Sequence, residues 1–136
     1  MAFAIKTEIR DPRAVEWVLA RQKTMYGGKL IAKDDIVFVF ASETEGGQGL
    51  IARGIVVSTS AVPRVAGVAR QTPRVSLTIR CVAVAKRRLG RAELKGFSEW
   101  TDGRPKTELN FRLYRQATNK VIGISDRTAT FLDGFF

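Results

Sequence analysis

The chain has 136 residues, with 23 Lys and Arg against 13 Asp and Glu, no histidine and one cysteine, for a formal net charge of +10. At 45% hydrophobic and 26% charged residues it can bury a core without disulfides or metal, which excludes a disordered chain and a disulfide scaffold. The lack of histidine removes the usual general base and the Ser-His-Asp and Cys-His nucleophile arrangements; with a single cysteine it also removes a structural zinc site.

"FAIKTEI", residues 3–9, alternates and predicts a first strand. "DPRAVEWVLARQKTMYGGK", residues 11–29, predicts a helix. Asp11 can cap it, Pro12 suits its first position and Gly27 or Gly28 can stop it. Its core stripe would be Val15, Val18, Leu19 and Gln22 or Met25, with Trp17 at the edge. Residues 34–58, "DDIVFVFASETEGGQGLIARGIVVS", predict a hairpin with strands near 36–41 and 50–58, entered through a turn at Asp34-Asp35. Gly54 inside the second strand marks a bulge or a close approach. "PRVSLTIRCVAVAKRR" predicts a longer strand that can bend, with Cys81 reduced and buried in it. "LGRAELKGF" gives one helical turn and "SEWTDGRPKT" a loop. In "ELNFRLYRQ", Leu109, Phe111 and Leu113 alternate with Asn110, Arg112 and Tyr114, which predicts the cleanest strand of the chain. "ATNK" then turns into "VIGI", with Asn119-Lys120 as a hairpin turn between strands. "SDRTATFLDGFF" predicts a helix capped by Ser125, whose Phe131, Leu132 and Phe135 close the core. This order predicts one α+β domain over residues 1–136, a small mixed β-barrel with short flanking helices.

No uncharged run approaches the roughly 18 residues of a membrane span. Charge arrives at Lys6, too early for the apolar region of a signal peptide. A soluble, cytoplasmic protein is expected. The basic residues are unevenly spread: between Ala61 and Lys95 stand Arg64, Arg70, Arg74, Arg80, Lys86, Arg87, Arg88, Arg91 and Lys95 against the single acid Glu93. Such clustering points to a polyanion, nucleic acid first, as DNA or RNA. Arg53, Arg64, Arg74, Lys86, Arg87, Arg88 and Arg112 are the candidate phosphate contacts. "TEGGQGLIARG" lacks the lysine of a phosphate-binding loop and runs into a strand, so its glycines serve the hairpin. Asp34, Asp35, Glu43 and Glu45 do not form a convincing metal set. No metal and no cofactor are expected, and binding is favoured over catalysis.

Residues 42–49, "SETEGGQG", hold more polar chemistry than a turn needs and are read as the rim of a pocket. Trp100, with Trp17, Tyr26 or Tyr114, is the candidate aromatic for a ligand's face. Arg112, Arg115, Gln116 and Asn119 can meet a base edge or a phosphate.

Phe3, Lys6, Thr7 and Glu8 in the first strand, Asp34-Asp35 leading through Phe38 and Phe40 to Ser42, and the stretch Leu50 to Val56 together resemble the EVE branch of the PUA-like fold. The resemblance covers about the first 60 residues, after which the order of elements agrees. Ile9 stands where that branch usually has proline, and the related ASCH and YTH branches share the fold. The resemblance implies a PUA-like barrel that takes a modified or flipped base into a pocket between the barrel and its first helix, without chemistry of its own. It implies that Lys6 and Thr7 meet Ser42 and Glu43 there, with Trp17, Trp100, Arg115 and Gln116 completing the base pocket. The rivals are a nuclease of the ASCH kind, using Lys6, a tyrosine and acids at the pocket mouth, and a module for a small molecule or a partner protein.

Overall fold

Alternating or continuous apolar runs build six strands: β1 (Ala2–Thr7), β2 (Glu16–Met25), β3 (Ile36–Ala41), β4 (Gly49–Ala61), β5 (Arg74–Val84) and β6 (Lys120–Ile124). The helices are α1 (Arg91–Leu94), α2 (Pro105–Leu113) and α3 (Asp126–Asp133). The structure is a computed structural model and describes residues 2–115 and 118–136. The strands close into a mixed barrel in the order β1-β3-β4-β5-β2-β6, with β1 parallel to β3 and β2 parallel to β6. The small mixed barrel with short helices is therefore the observed fold.

Strand alternation separates two cores. Phe3, Ile5, Val37, Val39, Leu77, Ile79 and Val121 fill the barrel interior with contributions from every strand. Ala4, Phe38, Phe40, Ile122 and Ile124 face the other way and are covered by Leu94, Leu109, Leu113 and Leu132 of the three helices and by Phe135 just after α3. Both faces of β1, β3 and β6 are thus buried, and a polar side chain at their ends is buried with them.

Two elements differ from the sequence expectation. Residues 11–29 do not form a helix; most of them are β2. Trp17 and Leu19 are buried there, while Val15 and Val18 are 80% and 79% exposed. The register against β5 shifts between Leu19 and Gln22, and Arg21 adopts a φ of 54°. Beyond that bulge the buried residues are Gln22 and Thr24. An extra residue in a strand flips the parity, and the resulting mixture of apolar spacings imitates a helical stripe. A pocket between the barrel and a first helix is accordingly not what this chain builds.

Residues 108–115 are not a strand either: Pro105–Leu113 is α2. Leu109 and Leu113 are four apart and fully buried on one helical face, so the same apolar residues satisfy both periods. Pro105 at the start decides for the helix. Arg112 Nη1 ties α2 to the barrel through the Gly123 carbonyl at 3.1 Å. Asn119, with a φ of 56°, consequently joins a helix to a strand and is not a hairpin turn between strands.

Other expectations fit. Gly54 sits at a register shift of β4, and a Cβ there would come within 2.5 Å of Ile79 Cγ2 and 2.9 Å of the Arg80 carbonyl oxygen. Asp35 Oδ2 accepts from Ala32 N–H at 2.8 Å, which closes the turn into β3. Ser125 Oγ accepts from Thr128 N–H at 3.2 Å and caps α3. Cys81 lies in β5 half-buried rather than buried, and burial pushes its thiol pKa up.

Candidate functional site

The ends of β1, β3 and β6 meet under the C-terminal end of α2. Lys6 stands opposite Phe40 on one side and Lys120 on the other. By alternation all three face the helix-covered side of the wall, and Lys6 and Lys120 are only 2% and 0% exposed. Tyr114 covers them: Lys6 Nζ lies 4.6 Å from its ring centre, and the Phe40 ring meets it edge-on at 6.3 Å. Lys120 Nζ donates to the Arg115 carbonyl at 2.6 Å.

The hairpin loop supplies the opposite charge. A 3₁₀ turn over Glu43–Glu45, started at Ser42 and ended by left-handed Gly46, folds Glu43 back toward α1 and Tyr114. Its carboxylate accepts from Tyr114 Oη at 3.0 and 3.2 Å and from Arg91 N–H at 2.6 Å. The Arg91 guanidinium stands 5.8 Å from the Tyr114 ring centre. Ser42 is 1% exposed; its N–H donates to the Thr7 carbonyl at 2.9 Å, yet its Oγ has no partner among the described residues. Thr7 Oγ1 donates to Asn119 Oδ1 at 2.9 Å on the neighbouring face.

Electrostatics follow from burial. Desolvation lowers the Lys6 pKa, Arg91 lowers it further, and Glu43 opposes both. Desolvation and the Lys6 charge bring Lys120 down to about 8. Burial and then Glu43 push the Tyr114 phenol well above its usual value, so it stays neutral and donates.

Gly90 is what allows Glu43 in: a Cβ at Gly90 would come within 2.6 Å of Glu43 Oε2. Gly90→Ala is expected to push the carboxylate off Tyr114 and Arg91, at about 1–3 kcal/mol for the hydrogen-bonding groups left behind. Urea denaturation checks it, because the midpoint should then fall below that of the parent protein. An unchanged midpoint would show that the Glu43 contacts contribute nothing to stability.

The sequence-derived candidates divide. Lys6 and Glu43 meet at Tyr114, Ser42 and Thr7 meet through their backbones, and the Thr7 side chain faces away from Lys6 toward Asn119. Trp17 does not join them; it is buried in β2 and its Nε1 donates to the Asp11 carbonyl at 2.8 Å. Trp100, 75% exposed, lines a separate cleft of about 420 Å³ with Tyr26, Arg104, Phe111 and Arg112. Arg115 is exposed, with its guanidinium 4.0 Å from the Phe111 ring centre. Gln116 lies outside the described residues.

Among the candidate phosphate contacts, Arg53 Nε lies 3.2 Å from Asp133 Oδ1 but is not aligned for a hydrogen bond, and Arg112 is held between Gly123 and the Tyr26 ring. Arg87 donates to the Gly134 carbonyl at 2.8 Å, Arg88 lies 3.9 Å from Glu93, and Lys86 is exposed. Arg64 and Arg74 border a groove at the far end of the β4–β5 hairpin. The basic run is contiguous in sequence but is drawn out along β5, whose 11 residues span up to roughly 33 Å. Sequence reasoning missed Lys120 and Arg91, and took Tyr114 only as an alternative aromatic. A lysine opening the apolar run "KVIGI" was the available signal for Lys120.

No family model and no curated protein matches the chain in sequence. Its fold is shared with solved structures over nearly its whole length. The structure of human THYN1 in complex with 5-methylcytosine-containing DNA is 13% identical, covers 96% of this chain and 94% of its own, and superposes with a TM-score of 0.60. The DUF55 domain of human thymocyte nuclear protein 1 gives 14%, 96%, 95% and 0.60. A protein from Pseudomonas syringae gives 18% identity, complete coverage of both chains and a TM-score of 0.58. The likeness at these identities is one of fold, and the fold is the PUA-like barrel that the first strands resemble.

Proposed function

We propose that this PUA-like barrel binds nucleic acid and takes a modified or flipped base into the Lys6–Ser42–Glu43–Tyr114–Lys120 cluster, without chemistry of its own. The observation that carries the reading is the Ser42 hydroxyl. A buried polar atom without a partner is costly, and natural cores rarely keep one unless a ligand or water completes it. At the same strand ends stand donors and acceptors of the kind a base edge needs: ammonium groups on Lys6 and Lys120, a carboxylate on Glu43 and a neutral phenol on Tyr114. The Tyr114 and Phe40 rings offer an apolar wall for the base face. Tyr114 is hydrogen-bonded across the cluster, so base entry would require it to swing from Glu43. That human THYN1 shares the fold and was solved on 5-methylcytosine-containing DNA supports a modified base as the ligand class.

Fluorescence anisotropy against matched oligonucleotides, plain or carrying 5-methylcytosine, 5-hydroxymethylcytosine or N6-methyladenine, tests this reading. One modified strand should bind tighter than its plain counterpart. Ser42→Ala should cut that preference by about 5–150-fold, as expected for a lost hydrogen bond worth about 1–3 kcal/mol. Trp100→Ala should leave it intact. Equal binding of every strand by the parent protein would remove the base-reading claim.

One observation favours the nuclease reading: Lys6, Tyr114 and Glu43 do come together, as a lysine, tyrosine and acid site would require. Strand scission by the parent protein that is lost in Lys6→Met would decide for it.

A further inference from the structure

The loop that joins β4 to β5, residues 62–73, contains no acidic residue. With the bulged end of β2 it borders a groove of about 450 Å³ whose lining includes Arg21, Lys23, Arg64, Arg70 and Arg74 and no acid. Four of these five side chains are exposed and Lys23 is half-buried. None is in an ion pair among the described residues, where Arg10, Arg53, Arg88 and Arg104 are the arginines with acidic partners. Like charges gathered around one concavity repel, and a polyanion relieves that repulsion.

The groove is built. Gln71 laces the loop, accepting from Val65 N–H at 2.9 Å and donating to the Val65 and Val68 carbonyls at 2.8 and 2.9 Å. Thr24 Oγ1 donates to the Pro73 carbonyl at 2.7 Å, and Val62 N–H donates to the Arg74 carbonyl at 3.0 Å. The β2 bulge that disguised this strand as a helix turns Arg21 toward the loop. Its N–H donates to Ser76 Oγ at 3.1 Å, and its carbonyl accepts from Arg74 Nη1 at 2.9 Å.

The groove also leads somewhere. Arg21 and Arg74 border a second, open concavity of about 710 Å³ that reaches Thr7 and Asn119. Lys23 is the register partner of Lys120, and its N–H donates to the Asn119 carbonyl at 2.9 Å. Basic groove and barrel mouth are therefore contiguous, and the buried lysine pair lies at the same strand ends on the other face of the β1–β6 wall.

We infer that Arg21, Lys23, Arg64, Arg70 and Arg74 form a track for the sugar–phosphate backbone of the nucleic acid strand whose base enters the Lys6–Lys120 cluster. The inference rests on the proposed base-binding function for its direction, since the base site marks where the track ends. Phosphate contacts fix register and affinity and carry no sequence information, whereas the cluster would do the reading. The two parts should fail separately.

The test is Arg64→Glu with Arg70→Glu, on exposed loop side chains that leave the Gln71 lacing untouched. Kd is measured for plain and modified oligonucleotides between about 50 and about 200 mM salt. The double variant should weaken binding to all strands together and lower the slope of log K against log salt by roughly 1.4 on single strands or 1.8 on duplex, two contacts' worth. The ratio of modified to plain affinity should stay as in the parent protein. The companion variant Lys86→Glu with Arg87→Glu should change the slope less.

An unchanged slope in the loop variant, or a larger loss in the companion, overturns the track. Binding to phosphatidylserine vesicles without salt-dependent binding to any oligonucleotide overturns it in favour of a membrane surface. If the parent protein shows no base preference while the loop variant still flattens the salt slope, the base site fails and the track stands.

Discussion

Lys120→Met is expected to stabilise the protein at neutral pH. Lys120 is fully buried, and burial beside Lys6 holds its pKa at about 8 against an ordinary value of 10.5. Between those values the unfolded chain binds more protons than the native state, so native stability rises with pH across that window. At pH 7 the whole penalty is present, about 3 kcal/mol for a shift of this size. Methionine fills similar volume without the charge, at the cost of the hydrogen bond to the Arg115 carbonyl, about 1 kcal/mol. A net gain of roughly 2 kcal/mol at pH 7 should appear as a higher urea midpoint, and it should vanish above about pH 10. The same variant should lose the base preference proposed above. A variant less stable than the parent by the same amount at every pH would show that the ammonium is well accommodated and that no such penalty exists.

Phe40→Ala has the largest expected loss. Phe40 is fully buried between the β3 wall and the helices, beside Lys6 and edge-on to Tyr114. Truncating a buried phenylalanine costs about 3–5 kcal/mol through lost transfer energy and the cavity left behind. For a chain of this length that is a fall in Tm of roughly 10–20 °C. Val18→Ala is the informative partner. On a helical stripe Val18 would be core and its loss would be felt; in β2 it is 79% exposed, and its removal should fall within about 0.5 kcal/mol. Thermal melts of the two variants therefore test the register of β2 as well as the core.

The barrel was legible where alternation was undisturbed. β4 and β5 read directly as strands because their apolar residues keep a two-residue period, β1, β3 and β6 because they are short apolar runs buried on both faces, and Ser125 and Gly54 announced a cap and a bulge by residue type. β2 was not legible because one extra residue near Arg21 shifts the parity, and a window over both halves averages to a helical period. α2 failed in reverse, since Leu109 and Leu113 suit both periods and Pro105 lay just outside the alternating window. Proline was the right signal used at the wrong place: Pro12 begins no helix, whereas Pro105 does. At the site, the backbone neighbourhood of Lys6, Thr7 and Ser42 was reachable because β1 pairs with β3 whatever the helices do, while the meeting of Lys6 with Glu43 runs through Tyr114. Tyr114, Arg91 and Lys120 were harder, because their approach depends on how α1 and α2 fold over the barrel wall. Trp100 has the aromatic chemistry for a base face but sits over a different cleft.

The closure of the barrel has a temporal consequence. β1 is seated between β3, an early neighbour, and β6, where Ala2 pairs with Ile124 near the far end of the chain. During synthesis β1 can acquire β3 early but must wait until β6 has been made before it acquires the second partner. Until then Phe3, Ala4 and Ile5 lie along an edge with open amide and carbonyl groups, a template for strand addition by another nascent chain. Pairing β1 with β6 closes a loop that spans all the strands between them, which slows that step of folding. The hazard for this protein is thus concentrated in one late interval, after β5 has paired and before β6 docks. The finished molecule, with every strand paired on both sides, presents no edge to recruit a neighbour.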